Sequence, residues 1–243
     1  NGNFSILRRI IENGSIPSSI ETGFSIVELV DRKNFISLLY YFGLLTIREI
    51  DEENTPVLSI PNETIKRLYY DYISKSYLET GILSLDMFKY EELLKEMAYR
   101  GNWEALVEYI AGRMEASLSL RDLMSGEKAH QVFWNVYLGL GTLYNVYPEK
   151  ELNQGYADLV MVPLSIQYPG IKYSYLVEFK YIDPAEYKKD NSPDAVKKLR
   201  DEAVTQLNRY SADEKFKKVI GQTALVKLVL IFSGNRLVHS SSV

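Results

Sequence analysis

Tyr173-Ser-Tyr-Leu-Val-Glu-Phe-Lys-Tyr-Ile182 is the stretch on which the fold turns. Its β-branched and aromatic content predicts a strand, and it is apolar on both faces, as in a strand covered from two sides. Side chains alternate along a strand, so Glu178 and Lys180 point to one side together with Leu176 and Ile182. Tyr175, Val177, Phe179 and Tyr181 take the other side. A carboxylate and an ammonium within such a run are costly unless they are paired or bind something. About twenty residues upstream lies a second apolar strand, Ala157-Asp-Leu-Val-Met-Val162, which carries a single acid, Asp158.

Working outward, 243 residues with 46% hydrophobic content suffice for one large domain or two small ones. Nineteen tyrosines suit half-wet surfaces, where an apolar ring meets a polar tip. The net charge of −4 is mild and unevenly spread. From Arg121 onward there are 16 Lys and Arg against 14 Asp and Glu, leaving 12 against 18 in the first 120 residues. A polyanion would therefore sit on the C-terminal part. The absence of Cys excludes disulfides and thiolate zinc sites and fits a reducing cytoplasm. With only His130 and His239, a histidine-rich centre is excluded too, so a metal would be held by oxygens, as Mg²⁺, Mn²⁺ or Ca²⁺ are. No apolar run approaches the roughly 18 residues of a membrane span, and no signal peptide opens the chain. The start, Asn1-Gly2-Asn3, reads as a piece of something longer.

In the N-terminal part, the spacing predicts a helix over 34–42 ended by Gly43, strands over 44–50 and 57–60, and a helix over 63–77 capped by Asn62. Helix, hairpin, helix is a winged-helix-like order. Two helices near 86–98 and 103–117, parted by Gly101-Asn102, read as an antiparallel pair. From Ser125 the texture changes. A helix over 126–144 carries an apolar stripe of Ala129, Val132, Phe133, Val136, Tyr137 and Leu140. The two strands above follow. Ser192-Pro193 open a further helix with Val196, Leu199, Ala203, Gln206 or Leu207, and Tyr210 on one face. Leu225–Phe232 is a buried strand and 236–240 an edge strand. The expected fold is α/β, a central mixed sheet flanked by helices over 119–243, preceded over 1–118 by a mainly helical, winged-helix-like linker or lid.

Hydrolysis of a phosphodiester needs charge stabilisation on the phosphate and an activated water, and a divalent ion can supply both. Mg²⁺ takes one or two carboxylates and keeps several waters. Asp158 and Glu178 could be those carboxylates, with the Phe179 carbonyl as a further ligand. Lys180 would lower the pKa of the attacking water or hold the scissile phosphate. The bland alternative is a surface ion pair on an edge strand.

Gly155-x-x-Asp158, then Val177-Glu178-Phe179-Lys180, then Gln206 with Tyr210 one turn later, resembles the PD-(D/E)XK nuclease superfamily. More narrowly, the chain resembles the C-terminal nuclease-like domain of bacterial AAA-ATPase-like proteins, abundant in gut Bacteroidetes. Ser37-Leu-Leu-Tyr-Tyr-Phe-Gly-Leu-Leu-Thr-Ile47 and Ser59-Ile-Pro-Asn62 resemble that family's segment between ATPase and nuclease. The resemblance implies a restriction-endonuclease-like core and a Mg²⁺- or Mn²⁺-dependent nuclease acting on nucleic acid, DNA ahead of RNA. It implies that Asp158 and Glu178 bind metal, Lys180 is catalytic and Gln206 positions water or substrate. Glu127 matches the acid that often completes such sites, and Glu151 lies where an acid commonly precedes the glycine. His130 reads as a core residue. The Pro of the family motif is replaced by Ala157. No Gly-x-x-x-x-Gly-Lys-Ser/Thr occurs, so the implied ATPase domain would belong to the parent chain. Two rivals remain: an inactive nucleic-acid-binding or regulatory module of the same fold, and a domain that docks the ATPase to a partner.

Overall fold

The computed structural model of the chain describes residues 2–62, 64–66, 68, 69, 72, 85–117, 126–153, 155–190 and 193–243. The chain forms two compact units, Asn1–Glu79 and Thr80–Val243. Among the described residues no helix is long and apolar enough to cross a membrane.

The first unit holds α1 (Gly2–Asn13), β1 (Ser15–Pro17), a 3₁₀ turn (Ile26–Val30), α2 (Arg32–Tyr41), β2 (Thr46–Ile50) and β3 (Pro56–Ser59). Asp31 caps α2 by accepting a hydrogen bond from the Lys33 N–H. Strands β2 and β3 form the expected hairpin, and β1 adds to its β3 side, giving an antiparallel sheet in the order β1-β3-β2. Asn62 Oδ1 accepts from the Ile65 N–H, as an N-cap does. Most of the helix expected beyond it lies outside the described residues.

The second unit opens with α3 (Met87–Arg100) and α4 (Glu104–Ala116). Asp86 caps α3 through the Phe88 and Lys89 N–H groups, and Gly101 ends it in the left-handed region at φ 78°. The division that the sequence suggested, after residue 118, lies beyond these helices. Both pack with the sheet that follows: Tyr175 Oη donates to the Met97 carbonyl at 2.6 Å, and Asn235 Nδ2 donates to that of Met114 at 3.2 Å.

Next come α5 (Glu127–Leu138), β4 (Tyr144–Glu151), β5 (Tyr156–Pro163), β6 (Tyr173–Tyr181), α6 (Pro184–Asp190), α7 (Pro193–Ser211), α8 (Glu214–Ile220), β7 (Ala224–Ser233) and β8 (Arg236–Ser242). The strands form one mixed sheet in the order β4-β5-β6-β7-β8. Only β6 and β7 are parallel, and the connection between them carries α6, α7 and α8. Two expectations need correction. The helix expected to run to Tyr144 stops at Leu138, and Tyr144–Glu151 is an additional edge strand. The short helices α6 and α8 were not expected either. The Ser192 cap lies outside the described residues.

Both sheet faces are covered, which explains the apolar run in β6. On one face Ala203, Leu207 and Tyr210 of α7 and Phe216 of α8 pack with Val160, Leu176, Val229 and Ile231. On the other, the Trp134 ring of α5 lies 6.4 Å from that of Phe179 and 5.7 Å from that of Phe232. Burying an aromatic side chain of this kind contributes about 2–3 kcal/mol. A charge carried by the central strand β6 is therefore enclosed from both sides.

Candidate active site

Strands β5 and β6 pair at Leu159↔Val177, Val160↔Leu176 and Met161↔Tyr175, and there the ladder ends. Just beyond it, Asp158 lies close enough to Glu178 for the two carboxyls to repel each other. Main-chain pairing gives way here to a side-chain bond: the Phe179 N–H donates to Asp158 Oδ2 at 2.7 Å. The N–H and C=O of one strand residue point toward the same neighbour. The Phe179 carbonyl thus faces the gap between the strands as well.

Asp158 is 7% exposed and Glu178 1%. Lys180 Nζ donates to Glu178 Oε1 at 3.0 Å and lies 3.9 Å from Oε2 of Glu127, the first residue of α5. Three acids on three elements surround one ammonium. Burial pushes the Asp158 carboxyl well above the usual range, and repulsion from Glu178 adds to it. Burial raises Glu178 to about 7, against the pull of Lys180. Glu127 is raised mainly by burial too. Burial alone would lower Lys180, but Glu178 and Glu127 outweigh it and hold its pKa above the ordinary value. Lys180 is held in its ammonium form, whereas burial and mutual repulsion disfavour ionisation of the acids beside it.

A divalent cation fits this donor set in a specific way. Among the described residues Glu178 Oε2, which is buried, has no hydrogen-bond partner. Each Asp158 oxygen accepts one hydrogen bond, and a carboxylate has about four lone-pair positions, so capacity remains. Among the described residues no three His, Cys, Asp or Glu side chains gather into a metal cage. An ion of the Mg²⁺ kind takes one or two carboxylates and fills its remaining positions with water and substrate.

The other expected residues separate. Gln206 is half-buried on α7 between Ala203 and Leu207. Among the described residues Asp158 accepts from Gln131 and Phe179, and Glu178 from Lys180, with no hydrogen bond from Gln206 to any of them. Glu151 is exposed at the end of β4, opposite Tyr156. His130 is fully buried: its ring stacks on Phe232 with centroids 4.0 Å apart, and Nε2 donates to the Gly234 carbonyl at 2.8 Å. Burial lowers its pKa to about 4, so it is a neutral core residue. Gly155 has a steric role. A Cβ there would fall 2.7 Å from the Tyr210 ring and 2.8 Å from the Arg209 guanidinium, which donates to Tyr210 Oη at 3.0 Å.

Sequence reasoning missed Gln131 and Asn135. Gln131 Nε2 donates to Asp158 Oδ1 at 2.7 Å, and Asn135 Nδ2 donates to the Gln131 carbonyl at 2.7 Å and the Asp158 carbonyl at 3.4 Å. Their signal was present: Glu127, Gln131 and Asn135 recur every four residues, a polar stripe on a helix that is buried from Ala129 to Leu138.

The mixed α/β fold of the second unit, a five-stranded mixed sheet with helices on its faces, is restriction-endonuclease-like. No curated protein and no solved structure matches the chain. Residues 125–242, which contain every element from α5 to β8, match the family model of the PD-(D/E)XK nuclease superfamily.

Proposed function

We propose that this protein is a nuclease that hydrolyses phosphodiester bonds of nucleic acid with Mg²⁺ or Mn²⁺, DNA being the favoured substrate. The observation that carries the reading is the buried Glu178 Oε2, without a hydrogen-bond partner among the described residues, set beside Lys180 and close to Asp158 where β5 and β6 part. Asp158, Glu178 and the Phe179 carbonyl would hold the cation, which when bound activates water and neutralises phosphate charge. Lys180 is the chain's own contribution to the phosphate. Being firmly protonated, it binds a phosphoryl oxygen as a point charge and does not act as a general base. The Phe179 N–H fixes Asp158, and Trp134 and Phe232 back β6 against displacement. Glu127, about 41% exposed in its side chain, closes the far side of Lys180 and competes with substrate for it. Gln206 would contact water or substrate from α7. In the hydrolysis, water oxygen bonds to phosphorus, the bond to the leaving sugar oxygen breaks, and the water proton passes to solvent or to the leaving oxygen.

In the wider reading residues 1–118 serve as linker or lid and 119–243 as the nuclease part of a longer chain that also carries an ATPase domain, acting in the cytoplasm. This rests on the resemblance described above. The absence of Cys fits a reducing compartment.

The test is incubation of the full chain with labelled single- and double-stranded DNA and RNA, with Mn²⁺, Mg²⁺ or EDTA. Cleavage with Mn²⁺ or Mg²⁺ that disappears in EDTA and in Glu178→Ala and Lys180→Ala is expected. Wild-type protein inert toward all four substrates with either ion would refute the reading. One observation favours the inactive alternative: both Asp158 oxygens are already hydrogen-bonded, as in a structural carboxylate. A binding module would retain salt-dependent association with nucleic acid and never cut.

A further inference from the structure

We infer that Gln131 is a positioning residue for Asp158, directing that carboxylate into the gap between β5 and β6 so that it and Glu178 can share one divalent cation. The inference rests on the cation-site reading above and extends it to a helix that supplies no ligand.

A buried amide without a partner destabilises a fold, so each polar atom on α5 calls for a physical reason. Gln131 is 6% exposed, among residues that are otherwise packed against the sheet. Its Nε2 is spent on Asp158 Oδ1 at 2.7 Å. Its Oε1 is buried and has no hydrogen-bond partner among the described residues. The side chain thus leaves one end unsatisfied in order to aim the other at the carboxylate. Once Asp158 is ionised, as it would be when holding a cation, it accepts only donors, so the contact then takes the amide nitrogen, the orientation seen here.

Asn135, one turn along, secures the same register. Its Nδ2 reaches the Gln131 carbonyl at 2.7 Å and the main-chain carbonyl of Asp158 at 3.4 Å. Helix α5 therefore grips Asp158 by side chain and main chain at the residue where pairing with β6 stops. The Phe179 N–H holds the other oxygen. Held by a donor on each oxygen, the carboxylate cannot rotate away from Glu178. Outer partners that fix a ligating carboxylate typically change metal affinity 10–100-fold when removed.

The experiment titrates the full chain with Mn²⁺ alone, reading the free ion by electron paramagnetic resonance, in wild type, Gln131→Met, Asp158→Asn and the double variant. Circular dichroism confirms folding. Gln131→Asn, which keeps a polar group but does not reach the carboxylate, substitutes if Gln131→Met does not fold. The expected result is a roughly 10–100-fold weaker Kd in Gln131→Met and no further loss on adding it to Asp158→Asn. An equal loss in both backgrounds, or none in either, overturns the inference, because a packing role does not depend on the carboxylate. Affinity lowered by Asp158→Asn but untouched by Gln131→Met sinks this inference alone. Affinity untouched by Asp158→Asn removes the cation site and this inference with it.

Discussion

Glu178→Gln should make the protein more stable when divalent ions are absent, although it removes the negative charge beside Lys180. The residue is 1% exposed, and one of its carboxyl oxygens has no donor among the described residues. Its pKa is raised from the ordinary 4.5 to about 7, burial being the largest cause. At about 1.4 kcal/mol per pKa unit, ionised Glu178 costs the fold about 3 kcal/mol. The sign follows from the direction of the change. A raised carboxyl pKa means that the folded state retains its proton after the unfolded state has lost it. Stability therefore falls as pH rises from about 4.5 to about 7, and the whole penalty stands above that. Glutamine mimics the neutral acid and still offers Lys180 an acceptor oxygen. In EDTA near pH 8 the variant should melt roughly 6–12 °C higher, on about 2–4 °C per kcal/mol for a unit of this size. Near pH 5 the two curves should nearly coincide. Mn²⁺ should raise the wild-type melting point, by about 2.7 kcal/mol of stability at a hundred times Kd, and leave the variant where it was. Melting of Glu178→Gln at or below the wild-type temperature near pH 8 would show that the ionised acid is adequately compensated by the protein itself.

Three further substitutions probe other parts of the argument. Lys180→Met removes the ammonium 3.0 Å from Glu178 and 3.9 Å from Glu127; it should destabilise the fold by about 3–5 kcal/mol near pH 8 and by less near pH 5, as read by urea unfolding. For His130, burial lowers the pKa from 6.5 to about 4, so between those values the unfolded chain takes up a proton that the folded one refuses. Its contribution of about 3 kcal/mol is thus lost as pH falls from about 6.5 to about 4, and His130→Phe should show a shallower pH dependence of stability over that range. Gly155→Ala drives a methyl group into Tyr210 and Arg209, and a loss of about 1–3 kcal/mol in urea is expected. A companion Tyr210→Ala in the same chain should relieve part of that clash.

The strands of the second sheet were legible where they are buried on both faces. β5, β6 and β7 read as apolar runs because helices cover them from either side, and α3 and α4 announced themselves by Asp86 and Gly101. β4 was not legible. Its sequence, Tyr-Asn-Val-Tyr-Pro-Glu-Lys-Glu, is half-buried at the sheet's edge, and Pro148 demotes any strand reading. At an edge a missing N–H is tolerated, so the residue that argued against a strand is one an edge strand accommodates. The overrun of α5 has a related cause: Leu140, Leu143 and Tyr144 continue the helical spacing of apolar residues, but they lead into β4. Periodicity records which residues are buried, and cannot tell a helix from the strand that follows it into the same core.

The site was legible only where its chemistry is carried by charge. Asp158, Glu178 and Lys180 stand out because a charge in an apolar strand needs a reason, and the structure brings them together at the end of the β5/β6 ladder. Gln131 and Asn135 carry no charge, and a neutral amide in a helix raises no alarm by composition. Their four-residue spacing from Glu127 becomes informative once α5 is known to be buried nearly all round, because a stripe that should face solvent then faces the sheet. The same helix therefore writes two codes. Ala129, Val132, Phe133 and Val136 specify how it packs, while Glu127, Gln131 and Asn135 specify where Asp158 and Lys180 are held. A substitution in the first set should act chiefly on stability, and one in the second chiefly on what the two acids can bind.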